Sequence, residues 1–224
     1  MRFLARLAVA CSFGFLALTA GASPANPQAG VDYRVLNKPQ PTESGAKVEV
    51  IEFFWYACPH CFALEPSLEE WVKKQGDKIS FKRVPVAFRE SFIPQQKLYY
   101  SLEAMGLLPR LHQKVFNAIH VERQALNTDA SILDFVVKNG VDKAKFQDVY
   151  NSFAVQTKAR RAAQLQADFQ IDGVPTLAIG GKYLTSPSIV GEKMGNQPEA
   201  TLQNAALQVA SHLVERVAKE GGKK

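Results

Sequence analysis

At 224 residues the chain has room for one large domain or a small domain carrying an insertion, and 46% hydrophobic with 21% charged residues is a globular balance, not a disordered one. The formal charge of +6 is a mild basic excess with no dense Lys/Arg cluster and no nucleic-acid motif, which argues against nucleic acid as a partner. No repeat period is evident.

Met1–Arg6 is short and basic, Leu7–Thr19 is apolar, and Ala20-Gly21-Ala22 fits a small-residue cleavage site. The apolar run is too short to span a bilayer, so residues 1–22 read as a secretory signal peptide cleaved after Ala22. A buried helix is a poor alternative at the extreme terminus with these flanks. Cys11 lies inside the run and leaves with it; the lipid-anchored alternative lacks a Leu three residues before it. Arg2 and Arg6 leave too, lowering the charge to +4. Nothing later in the chain is apolar for long enough to cross a membrane.

Residues 23–32, rich in Pro, Ala and Asn, read as a flexible leader. Tyr33–Leu36 is a short edge strand, and Asn37–Gly45, with Pro39 and Pro41, is a turn-rich loop. Val48–Tyr56 is β-branched and aromatic almost throughout, the pattern of a strand buried on both faces. Pro59 suits a first helical residue, where its missing N–H would be unpaired anyway. Behind it Phe62, Leu64, Leu68, Trp71 and Val72 recur near helical spacing out to Gly76. Ile79–Val84 is the next strand, stopped by Pro85, and a strand–helix–strand unit of this length starts a parallel sheet.

From Phe88 to Phe169 the pattern is helical, cut at residues 106–109, 127–129 and 140–142 into four or five helices. Gly140 suits a helix end and Asp142 the cap of the next, whose apolar stripe is Phe146, Val149, Tyr150 and Phe153. Strands return at Thr176–Ile179 and Lys182–Leu184, joined by a Gly180-Gly181 turn. A last helix over residues 198–217 places Leu202, Ala206, Val209 and Leu213 on one face, and residues 221–224 are a frayed tail. The expected architecture is α/β: a sheet domain formed by residues 33–87 and 170–219, interrupted by an all-helical subdomain over 88–169.

The chemistry concentrates where the second strand ends, at Cys58-Pro59-His60-Cys61. Cys58 falls at a helix N-terminus, where unpaired backbone N–H groups and the helix dipole favour an anion. The thiolate is the reactive form, so a lowered pKa makes Cys58 reactive. His60 adds a positive charge or a hydrogen bond. Cys61, three residues on, faces the same side and can close a disulfide. A purely structural bridge three residues long would constrain little of the unfolded chain. A zinc half-site lacks a second Cys or His pair at ligand spacing, since His112, His120 and His212 are scattered singly and read as surface or packing residues. A pair that cycles between dithiol and disulfide is the best of the three readings, and the exported chain holds no third cysteine to trap it.

Cys58-Pro59-His60-Cys61, the strand before it, the helical insert and Gly173-Val174-Pro175-Thr176 together resemble the DsbA family of periplasmic thiol–disulfide oxidoreductases, over roughly Tyr33–Val217. The resemblance implies a thioredoxin fold with an inserted helical domain and a Cys58–Cys61 disulfide. It makes Cys58 the nucleophile, Cys61 its buried partner, and Pro59 and His60 the pair that tunes them. It implies a cis Val174–Pro175 peptide facing the site, with the Val174 backbone free to pair with an extended client. Glu52, mid-strand and six residues before Cys58, matches an acidic residue that the family places beneath the disulfide as a proton acceptor for Cys61, paired with Lys82 or Arg83. Trp55-Tyr56-Ala57 is a bulkier step before the motif than some members carry. The implied partners are unfolded exported proteins and a DsbB-type, quinone-linked membrane protein that restores the disulfide. The protein would act as a monomer in the periplasm of a Gram-negative bacterium, with no metal or organic cofactor. The alternatives are a disulfide reductase or isomerase, and, from another class, a peptide-binding holdase with an incidental redox pair.

Overall fold

A computed structural model describes residues 26–221, so the expected signal peptide lies outside the described residues. Five strands form one sheet: β1 (Arg34–Val35), β2 (Val48–Phe54), β3 (Ile79–Pro85), β4 (Thr176–Ile179) and β5 (Tyr183–Thr185), in the order β1-β5-β4-β2-β3. β2 and β3 are parallel and every other neighbouring pair is antiparallel. β2 is buried along its whole length because both faces of the sheet are covered. Val48 and Val50 point to one layer, made of α1 (Pro59–Gln75) and α8 (Glu199–Gly221). Ile51 and Phe53 point to the other, where five helices run between β3 and β4.

Those five are α2 (Ile93–Ala104), α3 (Leu108–His120), α4 (Asp129–Lys138), α5 (Lys143–Tyr150) and α6 (Phe153–Asp168). α2 is their centre and packs against each of the other four. Its buried Gln96 side chain donates to the Pro85 carbonyl at 2.8 Å and so ties the insert to the end of β3. Asp142 caps α5 as its position suggests, its carboxylate accepting from Lys145 N at 2.8 Å.

Two expectations need correction, and one helix is added to them. The stripe that joined Phe153 to Phe146 and Tyr150 is broken, because Ser152 Oγ accepts from Val155 N at 3.2 Å and starts α6 there. Phe153 consequently turns outward and is 76% exposed, with the Arg160 guanidinium over its ring. The leader is folded over its second half: Gln28–Tyr33 closes as a turn, with Gln28 N donating to the Asp32 carboxylate at 2.8 Å and Thr185 Oγ1 donating to the buried Asp32 carbonyl at 3.0 Å. Finally, the segment between the hairpin and the last helix contains its own helix, α7 (Pro187–Met194). Ser186 caps it and Pro187 is its first residue, a signature the spacing of apolar residues does not reveal.

Candidate active site

β2 ends at Phe54 and α1 begins at Pro59, so the chain must turn within four residues. Cys58 takes the N-cap position in extended backbone, φ −81° and ψ 116°, and Pro59 opens the helix. Cys58 is 7% exposed and Cys61 0%, and both are free thiols, so the geometry is that of the dithiol form.

The two sulfurs are electrostatically unlike. The Cys58 pKa is lowered to about 6, first by the Cys61 thiol donating to it, against the opposing effect of burial. Backbone N–H groups of Cys61 and His60 and the charge of His60 add to the lowering. The partner thiol makes the largest contribution, ahead of the N–H groups of the helix end and the charge of His60. Burial, then the Cys58 sulfur and Glu52, push the Cys61 thiol well above its usual range.

The Val174–Pro175 peptide is cis, and the Val174 carbonyl lies 3.5 Å from Cys58 Sγ, so the two segments are brought together across 116 residues of sequence. Beside them opens a groove of about 260 Å³ whose walls include His60, Val174, Pro175, Pro187 and Glu199. His60 turns its Nδ1 to Glu199 Oε1 at 2.7 Å, and that hydrogen bond, against the opposing effect of burial, raises its pKa.

Beneath the pair lies an acid cluster. Glu52 is 0% exposed, and Arg83 Nε donates to its Oε2 at 2.8 Å. The β2–β3 register sets Arg83 directly opposite Glu52 and puts Lys82 on the other face, where it pairs with Glu49 at 3.0 Å. Arg83 Nη2 also reaches Glu65 at 2.6 Å and Glu69 at 3.2 Å, both on α1. One guanidinium therefore serves three carboxylates, and burial holds both Glu52 and Glu65 up at about 7 despite the Arg83 charge. Among the described residues, Glu52 Oε1 and Glu65 Oε2 have no hydrogen-bond partner.

Glu65, Glu69 and His112 are missing from the sequence reading of the site, which carries Tyr56 only within the bulky step before the motif. Glu65 had a signal: it sits four residues after Cys61 and three before Leu68, on the buried face of α1. His112 is buried and its pKa lowered to about 3 by burial and then by Arg83, so the ring is neutral. Tyr56 Oη lies 2.8 Å from His112 Nδ1, while His120 Nε2 donates to the Tyr56 carbonyl at 2.8 Å. α3 therefore grips the residue two before Cys58 at both ends. His120 also stacks on Phe62 of α1, ring centroids 4.8 Å apart.

An acidic thiol at a helix N-terminus, a buried high-pKa partner one turn on, and a cis-proline loop against the first sulfur define a thioredoxin-fold thiol–disulfide oxidoreductase. The DSBA-like thioredoxin domain family matches residues 49–206. The thiol:disulfide interchange protein DsbA of Burkholderia cepacia is 52% identical over 178 residues, covering 79% of this chain and 84% of that protein. Its counterpart from Pseudomonas aeruginosa is 37% identical over 212 residues, covering 95% and 93%. The crystal structure of Pseudomonas aeruginosa DsbA superposes with a TM-score of 0.78 at 35% identity, covering 88% of this chain and 97% of that one. The chain belongs to the DSBA-like thioredoxin domain family.

Proposed function

We propose that the protein donates a Cys58–Cys61 disulfide to newly exported, unfolded proteins. A client thiolate attacks Cys58 Sγ, the Cys58–Cys61 bond breaks, and Cys61 leaves with the electron pair and takes up a proton. The client's second thiolate then attacks its own sulfur in the mixed disulfide. Cys58 leaves as a thiolate, the client holds the disulfide, and the protein is reduced by two electrons. The single observation that carries this reading is the asymmetry of the pair, an acidic Cys58 beside the Val174–Pro175 loop and a fully buried Cys61. A low-pKa sulfur is a good leaving group, and a stabilised thiolate makes the disulfide oxidising.

In this reading Pro59 and His60 tune Cys58, the Val174 backbone pairs with extended client, and Glu52 exchanges the proton of Cys61. The disulfide is restored by a DsbB-type, quinone-linked membrane partner, and no other cofactor takes part. The signal peptide directs the chain to the periplasm of a Gram-negative bacterium, where the mature domain of 33–87 and 170–219, with its insert of 88–169, works as a monomer. The test is refolding of a reduced, two-cysteine client: the oxidised protein forms the client disulfide and Cys58→Ser forms none. A Cys58→Ser variant that still promotes client folding as well as the parent would mark a holdase instead.

A further inference from the structure

Glu199 is the first residue of α8, far from the Cys58–Cys61 motif in sequence. Its Oε1 accepts from two donors, the buried Gln203 amide at 3.2 Å and His60 Nδ1 at 2.7 Å. A carboxylate only accepts, so the short contact fixes the proton on Nδ1 and leaves Nε2 as the nitrogen that titrates. Gln203 holds the carboxylate in place at the first turn of α8. His60, in turn, stands in the first turn of α1 beside Cys58, to which it gives both its backbone N–H and its charge. The charged and titratable groups facing His60 are Cys58 on its own helix end and Glu199 on α8.

We propose that Glu199 is a positioning residue for the redox pair: it holds His60 as an imidazolium against Cys58, so that α8 helps to set how acidic and how oxidising the pair is. The inference rests on the reading of Cys58 as the reactive thiolate. The chain of action has a definite sign. Without the carboxylate His60 gives up its proton more readily, the Cys58 thiolate loses a neighbouring positive charge, and the Cys58 pKa rises. A carboxylate that merely screened His60 would do the opposite, since its removal would leave the imidazolium stronger and Cys58 more acidic. A carboxylate serving only the helix N-terminus would affect stability and leave Cys58 alone.

The test compares the full mature chain with Glu199→Gln, Glu199→Asp, His60→Leu and the His60→Leu/Glu199→Gln double variant. Cys58 is read by thiolate ultraviolet absorbance against pH, His60 by imidazole NMR, and oxidising strength by equilibrium with glutathione. Glu199→Gln should lower the His60 midpoint, raise that of Cys58 and weaken the equilibrium about two- to fivefold, the scale of a half-exposed ion pair. Glu199→Asp should restore part of the shift, and in the His60→Leu background Glu199→Gln should move neither Cys58 nor the equilibrium. A Cys58 midpoint that stays or falls in Glu199→Gln, or a rise that persists without His60, overturns the inference while the active-site reading stands. An ordinary thiol midpoint for Cys58 in the parent chain overturns both.

Discussion

Glu52 holds a carboxyl that changes charge near pH 7, and it does so because a strand residue with no exposure still has a cation within reach. Burial disfavours its ionised form and Arg83 favours it, leaving the group poised where a proton can move either way. Its charge acts on Cys61, which in the proposed cycle gains a proton when the disulfide opens and loses it when the disulfide reforms. Glu52→Gln should therefore slow reoxidation of the dithiol form by about tenfold, less than the 10²- to 10⁴-fold usual for general bases because Glu65 shares the same Arg83. The sign with pH is fixed by the raised pKa: in the parent the rate should climb as pH rises through about 7 and the carboxylate forms, and Glu52→Gln should lose that step. Stopped-flow reoxidation across pH 5–9 reads both, and an unchanged profile would remove Glu52 from the proton path.

The elements were legible where their signals are local and obscure where they depend on partners. A strand end, a proline at the first helical position and two sulfurs a turn apart all lie within Val48–Cys61, so the site's centre could be placed from the sequence. The acid cluster could not. Which of Lys82 and Arg83 meets Glu52 depends on the register of β2 against β3, where a shift of one residue exchanges the two faces. His112 and Glu199 arrive from α3 and α8, and no spacing along the chain announces that they converge. The hairpin turn shows the opposite case, a local signal with a tertiary cause. Gly180 and Gly181 have φ of +59° and +65°, and a Cβ on Gly181 would sit 2.1 Å from the Gln40 carbonyl oxygen. Gln40 N donates to the Gly181 carbonyl at 2.7 Å, so the loop before β2 is held against the turn. Gly181→Ala should destabilise the fold by more than about 2 kcal/mol, from positive φ and a clash with backbone that has little room to move. A melting temperature within about 1 °C of the parent would contradict that.

Across the whole molecule the site sits where two layers meet at one end of the sheet. α1 supplies the sulfurs, α8 supplies Glu199, the insert supplies the grip of α3 on Tyr56, and the loop before β4 supplies Val174 and Pro175. The order of these elements is legible as strand, helix, strand, helical insert, hairpin and helix. Their convergence follows from both sheet faces being apolar and needing cover. The proposed role as a disulfide donor requires this convergence to leave the dithiol form better stabilised than the disulfide. The most direct test is the equilibrium of the mature protein with glutathione, following the Cys58–Cys61 state from pH 5 to 9. At pH 7 the potential should lie at or above the about −180 mV of protein disulfide isomerase. A Cys58 pKa lowered to about 6 adds stability to the reduced form that is lost as pH falls through 6. Reduction by glutathione should accordingly become more favourable by roughly tenfold per pH unit from about 6 to about 8.5, where glutathione's own ordinary thiol ionises, and flatten below 6. A potential near the about −270 mV of thioredoxin, with an exchange equilibrium that does not shift toward the dithiol form above pH 6, would overturn the donor role and make the protein a reductase.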